Sequence, residues 1–75
     1  MKKLCDLNVN ETALVYKILS KNDMCQRFLD IGLIEGTLVE CVEQSPSGDP
    51  KAYLVRGAVI AIRNDDAQDI LIKEE

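Results

Sequence analysis

Apolar and polar positions alternate along several short stretches of this chain, which is the pattern of β-strands that bury one face. The first stretch is ALVYKIL, residues 13–19, in which Leu14, Tyr16 and Ile18 share one face and Lys17 lies on the other. Similar patterns predict four more strands, at residues 37–43, 51–55, 58–62 and 70–73. Because Arg56-Gly57 is too short for anything but a tight turn, the third and fourth strands should form a hairpin.

One segment has helical periodicity instead. From Asp23 to Ile31 the apolar side chains recur on one broad face, which comprises Met24, Cys25, Phe28 and Leu29, with Ile31 at its edge. Gly32 follows directly and is the residue type that most often ends a helix. Residues 64–68, NDDAQ, predict one further helical turn before the last strand.

These elements predict a single domain, residues 1–75, with a core from about residue 4 to residue 73. Five short strands with one apolar face must curl to bury it. The predicted fold class is therefore mainly β: a small five-stranded SH3-like barrel with one short α-helix inserted after the first strand and a single helical turn before the last strand. Six aliphatic residues should line its core, with Phe28 or Leu29 closing one end: Ile18, Val39, Val55, Ile60, Ile62 and Ile72.

Composition then excludes several classes of function. Nine Lys and Arg against thirteen Asp and Glu give a net charge of −4, which argues against nucleic acid as a partner. Histidine is absent, and no nucleophile stands near a general base, so no catalytic residue is assigned and an enzyme is not expected. No apolar stretch reaches the roughly 20 residues of a membrane-spanning helix, so direct membrane insertion is not expected. The start, MKKLCDLNVNE, is unlike an export signal, which predicts a cytoplasmic protein.

The cysteines are candidate metal ligands. Cys5, Cys25 and Cys41 are soft donors, but they are far apart in sequence and form no local chelate. Cys25 lies on the apolar helix face and Cys41 on the inward face of a strand, so both are interpreted as small core residues. The metal site therefore stays unassigned.

Charged side chains suggest two further hypotheses. The acidic cluster near the last strand is either a loose oxygen site for a divalent cation or a set of helix-capping groups: Asp65, Asp66 and Asp69. The arginines either contact an acidic partner or are solvated counterparts of the many acids: Arg27, Arg56 and Arg63.

The predicted helix also has more apolar surface than one barrel should need. Leu33 and Ile34 extend its apolar face beyond Gly32, so either all of it packs inward or one edge is left for a partner. The second alternative makes Arg27, Leu33, Ile34 and Glu35 the candidate partner-binding residues.

Four segments together carry a family resemblance. QRFLDIGLIEGT, residues 26–37, resembles the Arg-Leu-Asp-Leu-Gly-Leu-x-x-Gly signature of the FeoA family. The run SPSGDPKAYLVRGAVIAIR, residues 45–63, is similar to that family's loop and hairpin, and DLNVNETALVYKI and DDAQDILI resemble its opening and its close. The ordered match spans residues 4–73, with Asn10 where the family usually has Gly.

The resemblance implies a small cytoplasmic accessory protein of bacterial ferrous iron (Fe²⁺) uptake. The implied partner is FeoB, a membrane transporter, and the implied role is an interaction module on its cytosolic, GTPase-containing part. The alternative is a transition-metal-binding regulator or iron chaperone that binds a divalent transition metal such as Fe²⁺ weakly. The motifs assign no metal ligands, and weak homo-oligomer formation stays open.

Overall fold

The computed structural model of this chain describes residues 2–20 and 22–73. Its described part contains six strands, two α-helices and one 3₁₀ helix. In chain order the elements are β1 (Lys2–Lys3), the 3₁₀ helix (Leu4–Asp6), β2 (Thr12–Ile18), α1 (Asn22–Asp30), β3 (Leu38–Gln44), β4 (Lys51–Val55), β5 (Ala58–Ile62), α2 (Asn64–Ala67) and β6 (Ile70–Lys73). The strands form one antiparallel sheet in the order β1-β6-β2-β3-β4-β5.

The sequence pattern located most of these elements. The bounds of β4, β5 and β6 are the predicted ones, and α2 is the predicted helical turn. The helix α1 begins and ends one residue before the predicted bounds. The prediction of five strands was one short, because β1 consists of two exposed lysines and carries no apolar alternation. Only its pairing with β6, Lys2 with Ile72 and Lys3 with Leu71, makes it a strand.

The inward face of β2 is the reverse of the predicted one. Ala13 and Val15 are buried, whereas Leu14 is half-buried and Tyr16 is 46% exposed. Ala13 pairs with Val39, and both side chains point into the core. The register shifts between Val15 and Lys17, so a bulge changes the alternation there and leaves Ile18 partly buried.

The predicted core is largely confirmed. Val39, Val55, Ile62 and Ile72 are buried, while Ile60, like Ile18, is only partly buried. Of the two residues predicted to close one end of the core, Phe28 is buried and does so, whereas Leu29 is 52% exposed. Several fully buried residues lie outside the six that were predicted to line the core: Leu4, Leu33, Tyr53 and Ile70.

Two turns place residues in the left-handed region of backbone conformation. Asn10 has φ 74, in the left-handed region that asparagine tolerates, and its N–H donates to the carbonyl of Cys41. Arg56 and Gly57 have φ 49 and φ 85, as a two-residue type I′ hairpin requires.

The N-terminal segment is held onto β4 by buried polar groups. Lys51 Nζ donates to the carbonyl oxygens of Cys5, at 2.7 Å, and Leu7, at 3.1 Å. The Tyr53 hydroxyl donates to the carbonyl of Leu4 at 3.3 Å.

Within the described residues, no helix is both long and apolar enough to cross a membrane.

Candidate docking face

The turn that follows α1 is fixed by its own hydrogen bonds. Gly32 ends the helix with φ 82, and the N–H of Leu33 reaches back to the carbonyl of Phe28 at 2.8 Å. The Thr37 hydroxyl accepts from the N–H of Ile34 and donates to the carbonyl of Gly32, both at 3.1 Å. These bonds determine which side chains of the turn point outward.

A side chain from the β4–β5 hairpin reinforces this turn. Arg56 Nε donates to the carbonyl of Gly32 at 2.9 Å. A Cβ at Gly32 would lie 2.5 Å from Arg56 Cδ, so any other residue here would displace the Arg56 side chain. The Arg56 side chain therefore links the end of α1 to the β4–β5 hairpin.

The structure separates the four predicted partner-binding residues. Arg27, Ile34 and Glu35 are exposed, Ile34 by 38%. The assignment of Leu33 as a partner-binding residue was wrong, because its side chain is fully buried in the core. Arg27 lines a groove beside α1, whereas Ile34 and Glu35 lie on the turn outside that groove.

This groove runs between α1 and β5 and has a volume of about 710 Å³. We call it the α1–β5 groove. Its lining combines an apolar floor with two arginines and two aspartates: Met24, Arg27, Phe28, Asp30, Ile31, Ile60, Ala61, Ile62, Arg63 and Asp66. The structure thus brings together Arg27 and Arg63, which are far apart in the sequence.

A second, smaller groove of about 410 Å³ lies on the outer face of the sheet. Leu38, Leu54 and Arg56 are among its lining residues. Arg56 borders this groove and also donates to the carbonyl of Gly32, whereas Arg27 and Arg63 line the α1–β5 groove. No sequence signal pointed to these positions, because they depend on how the hairpin packs against α1.

The thiols differ in their surroundings. Cys41 is fully buried, as predicted, and burial raises the pKa of its thiol above the ordinary value. Cys25 is half-buried and lies outside the core cluster, so its interpretation as a core residue was wrong. On a short helix it lies beside the buried stripe rather than within it.

The described residues offer no preformed metal centre. Nowhere among residues 2–20 and 22–73 do three Cys, Asp or Glu side chains come close enough to hold a metal ion. Asp65 and Asp66 lie in the first turn of α2, the position in which acidic side chains compensate a helix terminus.

A single antiparallel sheet, a helix inserted between its second and third strands and a helical turn before the last strand define a small SH3-like domain. The chain belongs to the FeoA family, since the FeoA domain model matches residues 2–74. No curated protein matches the chain by sequence.

Solved structures agree with this assignment. The FeoA protein from Chlorobium tepidum is 25% identical with a TM-score of 0.89, over 95% of this chain and 68% of that one. A FeoA-like protein from Clostridium acetobutylicum is 27% identical with a TM-score of 0.85, over 99% and 90% of the two chains.

The FeoA of Stenotrophomonas maltophilia, solved in complex with zinc, is 25% identical with a TM-score of 0.81, over 97% and 91%. That protein is described as a prokaryotic SH3 domain protein and suggested as a ferrous iron transport activating factor. The predicted family and SH3-like fold are thereby confirmed, and the family is linked to ferrous iron transport.

Proposed function

We propose that this protein is a cytoplasmic accessory protein of ferrous iron uptake that docks on the cytosolic, GTPase-containing part of FeoB. The observation that carries the proposal is the match to the FeoA domain over residues 2–74. A docking module requires no reaction of its own, and it can favour one state of the transporter by binding that state more tightly.

The surface around the end of α1 suits such docking. Ile34 presents apolar surface on a turn that is held by Thr37 and Arg56, so little conformational entropy is lost when a partner covers it. Exposed Arg27 and Glu35 supply charge for orientation. The alternative of a metal-binding regulator has less support, because the described residues form no ligand cluster.

Substitution of Ile34 by Asp tests this surface. Ile34 is 38% exposed, so an aspartate can turn its carboxylate towards water and the domain should remain folded. Binding to the purified cytosolic domain of FeoB should weaken about 30-fold, which corresponds to a hot-spot loss of about 2 kcal/mol. Isothermal titration with and without guanine nucleotide measures this affinity.

The matched control is Val9→Asp. Val9 is 40% exposed and precedes β2, and its loop contacts β3 near Cys41 rather than near the turn that holds Ile34. This variant should bind like the wild type. If both variants bind like the wild type, the docking surface lies elsewhere; if the wild type does not bind, the proposed function is wrong.

A further inference from the structure

The strand β5 is an open edge of the sheet. It pairs with β4 on one side and is the last strand in the sheet order. Its sequence, AVIAI, contains no charge, no proline and no bulge, which are the usual devices that protect an edge from further pairing. Val59 is 63% exposed. An edge of this kind is a ready template for an added strand.

The hairpin geometry identifies the backbone groups that point away from β4. A two-residue turn at Arg56-Gly57 makes Val55 and Ala58 a hydrogen-bonded pair, and such pairs alternate along an antiparallel ladder. Ala58, Ile60 and Ile62 therefore bond to β4, whereas Val59 and Ala61 direct their N–H and C=O groups outward. In the described part of the chain, no turn or loop backbone group bonds to these two residues.

The α1–β5 groove lies alongside this edge. Met24 and Phe28 of α1, with Ile31 just after the helix, contribute one apolar wall, and Ile60 and Ile62 of β5 contribute the other. Side chains alternate across a strand, so every second side chain of an added strand would enter this groove. The groove therefore favours a segment with apolar residues at alternate positions.

The charges at this edge favour an acidic segment. Arg63 follows β5 directly, Arg27 faces the same groove, and neither side chain forms an ion pair or a hydrogen bond within the described residues. Of the two aspartates in the groove lining, Asp30 already accepts a hydrogen bond from Gln26 at 2.9 Å. A carboxylate on the added segment would find unpaired guanidinium groups, which bind carboxylates in bidentate fashion.

We infer that β5 accepts an extended segment of a partner protein as a further strand, with alternate apolar side chains in the α1–β5 groove and a carboxylate on Arg63. The recognition is β-strand addition, in which the backbone supplies affinity and the groove supplies specificity. This inference rests on the proposed function and names the chemistry of the segment that the transporter presents.

A second copy of this chain fits the edge less well. Antiparallel self-pairing centred on Ile60 would bring Arg63 of each copy beside the Arg56-Gly57 turn of the other. Each copy also carries a net charge of −4. Both effects oppose self-association and favour a partner of different sequence.

Replacing Ala61 by Pro tests the inference against the purified cytosolic domain of FeoB. Proline removes the outward N–H, and edge strands tolerate it because that group does not bond to β4. Loss of this hydrogen bond should weaken binding about 10-fold. Ala61→Ser, which keeps the N–H, is the matched control and should bind within about 2-fold of the wild type. Arg63→Glu should also weaken binding, and Arg63→Gln should weaken it less.

Hydrogen exchange on the wild-type complex gives a readout that needs no variant. The amides of Val59 and Ala61 should exchange rapidly in the free protein and slow at least 10-fold in the complex. This measurement decides the question if Ala61→Pro fails to fold.

The two proposals fail in different ways. If the wild type does not bind the cytosolic domain, the proposed function is wrong, and the inference about the partner segment is wrong as well. If the wild type binds but its Val59 and Ala61 amides stay unprotected, or a folded Ala61→Pro variant binds like Ala61→Ser, β-strand addition is refuted and docking stands. A wild type that dimerises in sedimentation, with Ala61→Pro monomeric, would make a second copy the occupant.

Discussion

At the scale of single residues, the notable feature is the polar chemistry buried under β4. Tyr53 is fully buried, and its hydroxyl donates to the carbonyl of Leu4. Burial is the main cause that raises the pKa of the Tyr53 phenol above its ordinary value of 10.0, because a phenolate would lose its hydration. Lys51, two residues earlier, holds the same N-terminal segment through two further carbonyls.

Tyr53→Phe should reveal this raised pKa in the pH dependence of stability. The folded-state pKa lies above the unfolded value, so the stabilisation is fully present below about pH 10 and is lost as the pH rises further. At pH 8 the variant should be less stable by about 1 kcal/mol, since it lacks the bond to Leu4. Urea unfolding from pH 8 to pH 11 should show this difference shrinking above pH 10. A constant difference over that range would show that the phenol ionises equally well in the folded state.

At the scale of elements, the end of α1 is stabilised by the hairpin that it contacts. Gly32 and Gly36 flank the same turn and both have positive φ, 82 and 89. They differ in their surroundings: a Cβ at Gly32 would collide with Arg56, whereas nothing lies within 4 Å of one at Gly36. The two glycines therefore separate the cost of backbone strain from the cost of losing the contact with Arg56.

Gly32→Ala should be more destabilising than Gly36→Ala. Each substitution forces a residue with a Cβ into the left-handed region, at a cost of about 1 kcal/mol. Gly32→Ala should cost about 1 kcal/mol more, because Arg56 must move and lose its bond to the carbonyl of Gly32. Chemical denaturation of both variants measures the difference. In an Arg56→Asn background, where Asn tolerates φ 49, the two costs should become equal; a difference that persists would point to another cause.

At the scale of the whole molecule, the domain depends on its N-terminal segment. Leu4 is fully buried and belongs to the core cluster, although it lies in a three-residue 3₁₀ helix. In a domain of this size a single buried side chain is a large share of the net stability, which is roughly 3–5 kcal/mol. The segment is thus a structural part of the fold.

Leu4→Ala should therefore be more destabilising than Ile60→Ala. Removing a fully buried leucine side chain costs about 2–5 kcal/mol, which approaches the stability of the domain. Ile60 was predicted in the core but is only partly buried, so its truncation should cost less. Thermal and urea unfolding of the two variants give the order, and a greater loss for Ile60→Ala would contradict the core described here.

For the candidate site, the sequence identified the right helix end but not the side chains that reach the surface. Leu33 and Ile34 are adjacent apolar residues, and nothing in their types distinguishes the buried one from the exposed one. The hydrogen bonds of Thr37 and the position of Phe28 decide which of the two side chains is buried. The α1–β5 groove could not be predicted, because only the packing of α1 beside β5 places Arg27 and Arg63 along the same groove.

Elements whose signals are local follow from the amino-acid sequence alone. Apolar–polar alternation and turn residues predicted β4, β5, β6 and the Arg56-Gly57 hairpin, and Gly32 predicted the end of α1. Other features depend on partners that are distant in the sequence: the pairing of β1 with β6, the burial of Leu4 and the inward face of β2. The physical reason is that periodicity records which residues share a face, whereas the direction of that face depends on the register with neighbouring strands and on the bulge after Val15.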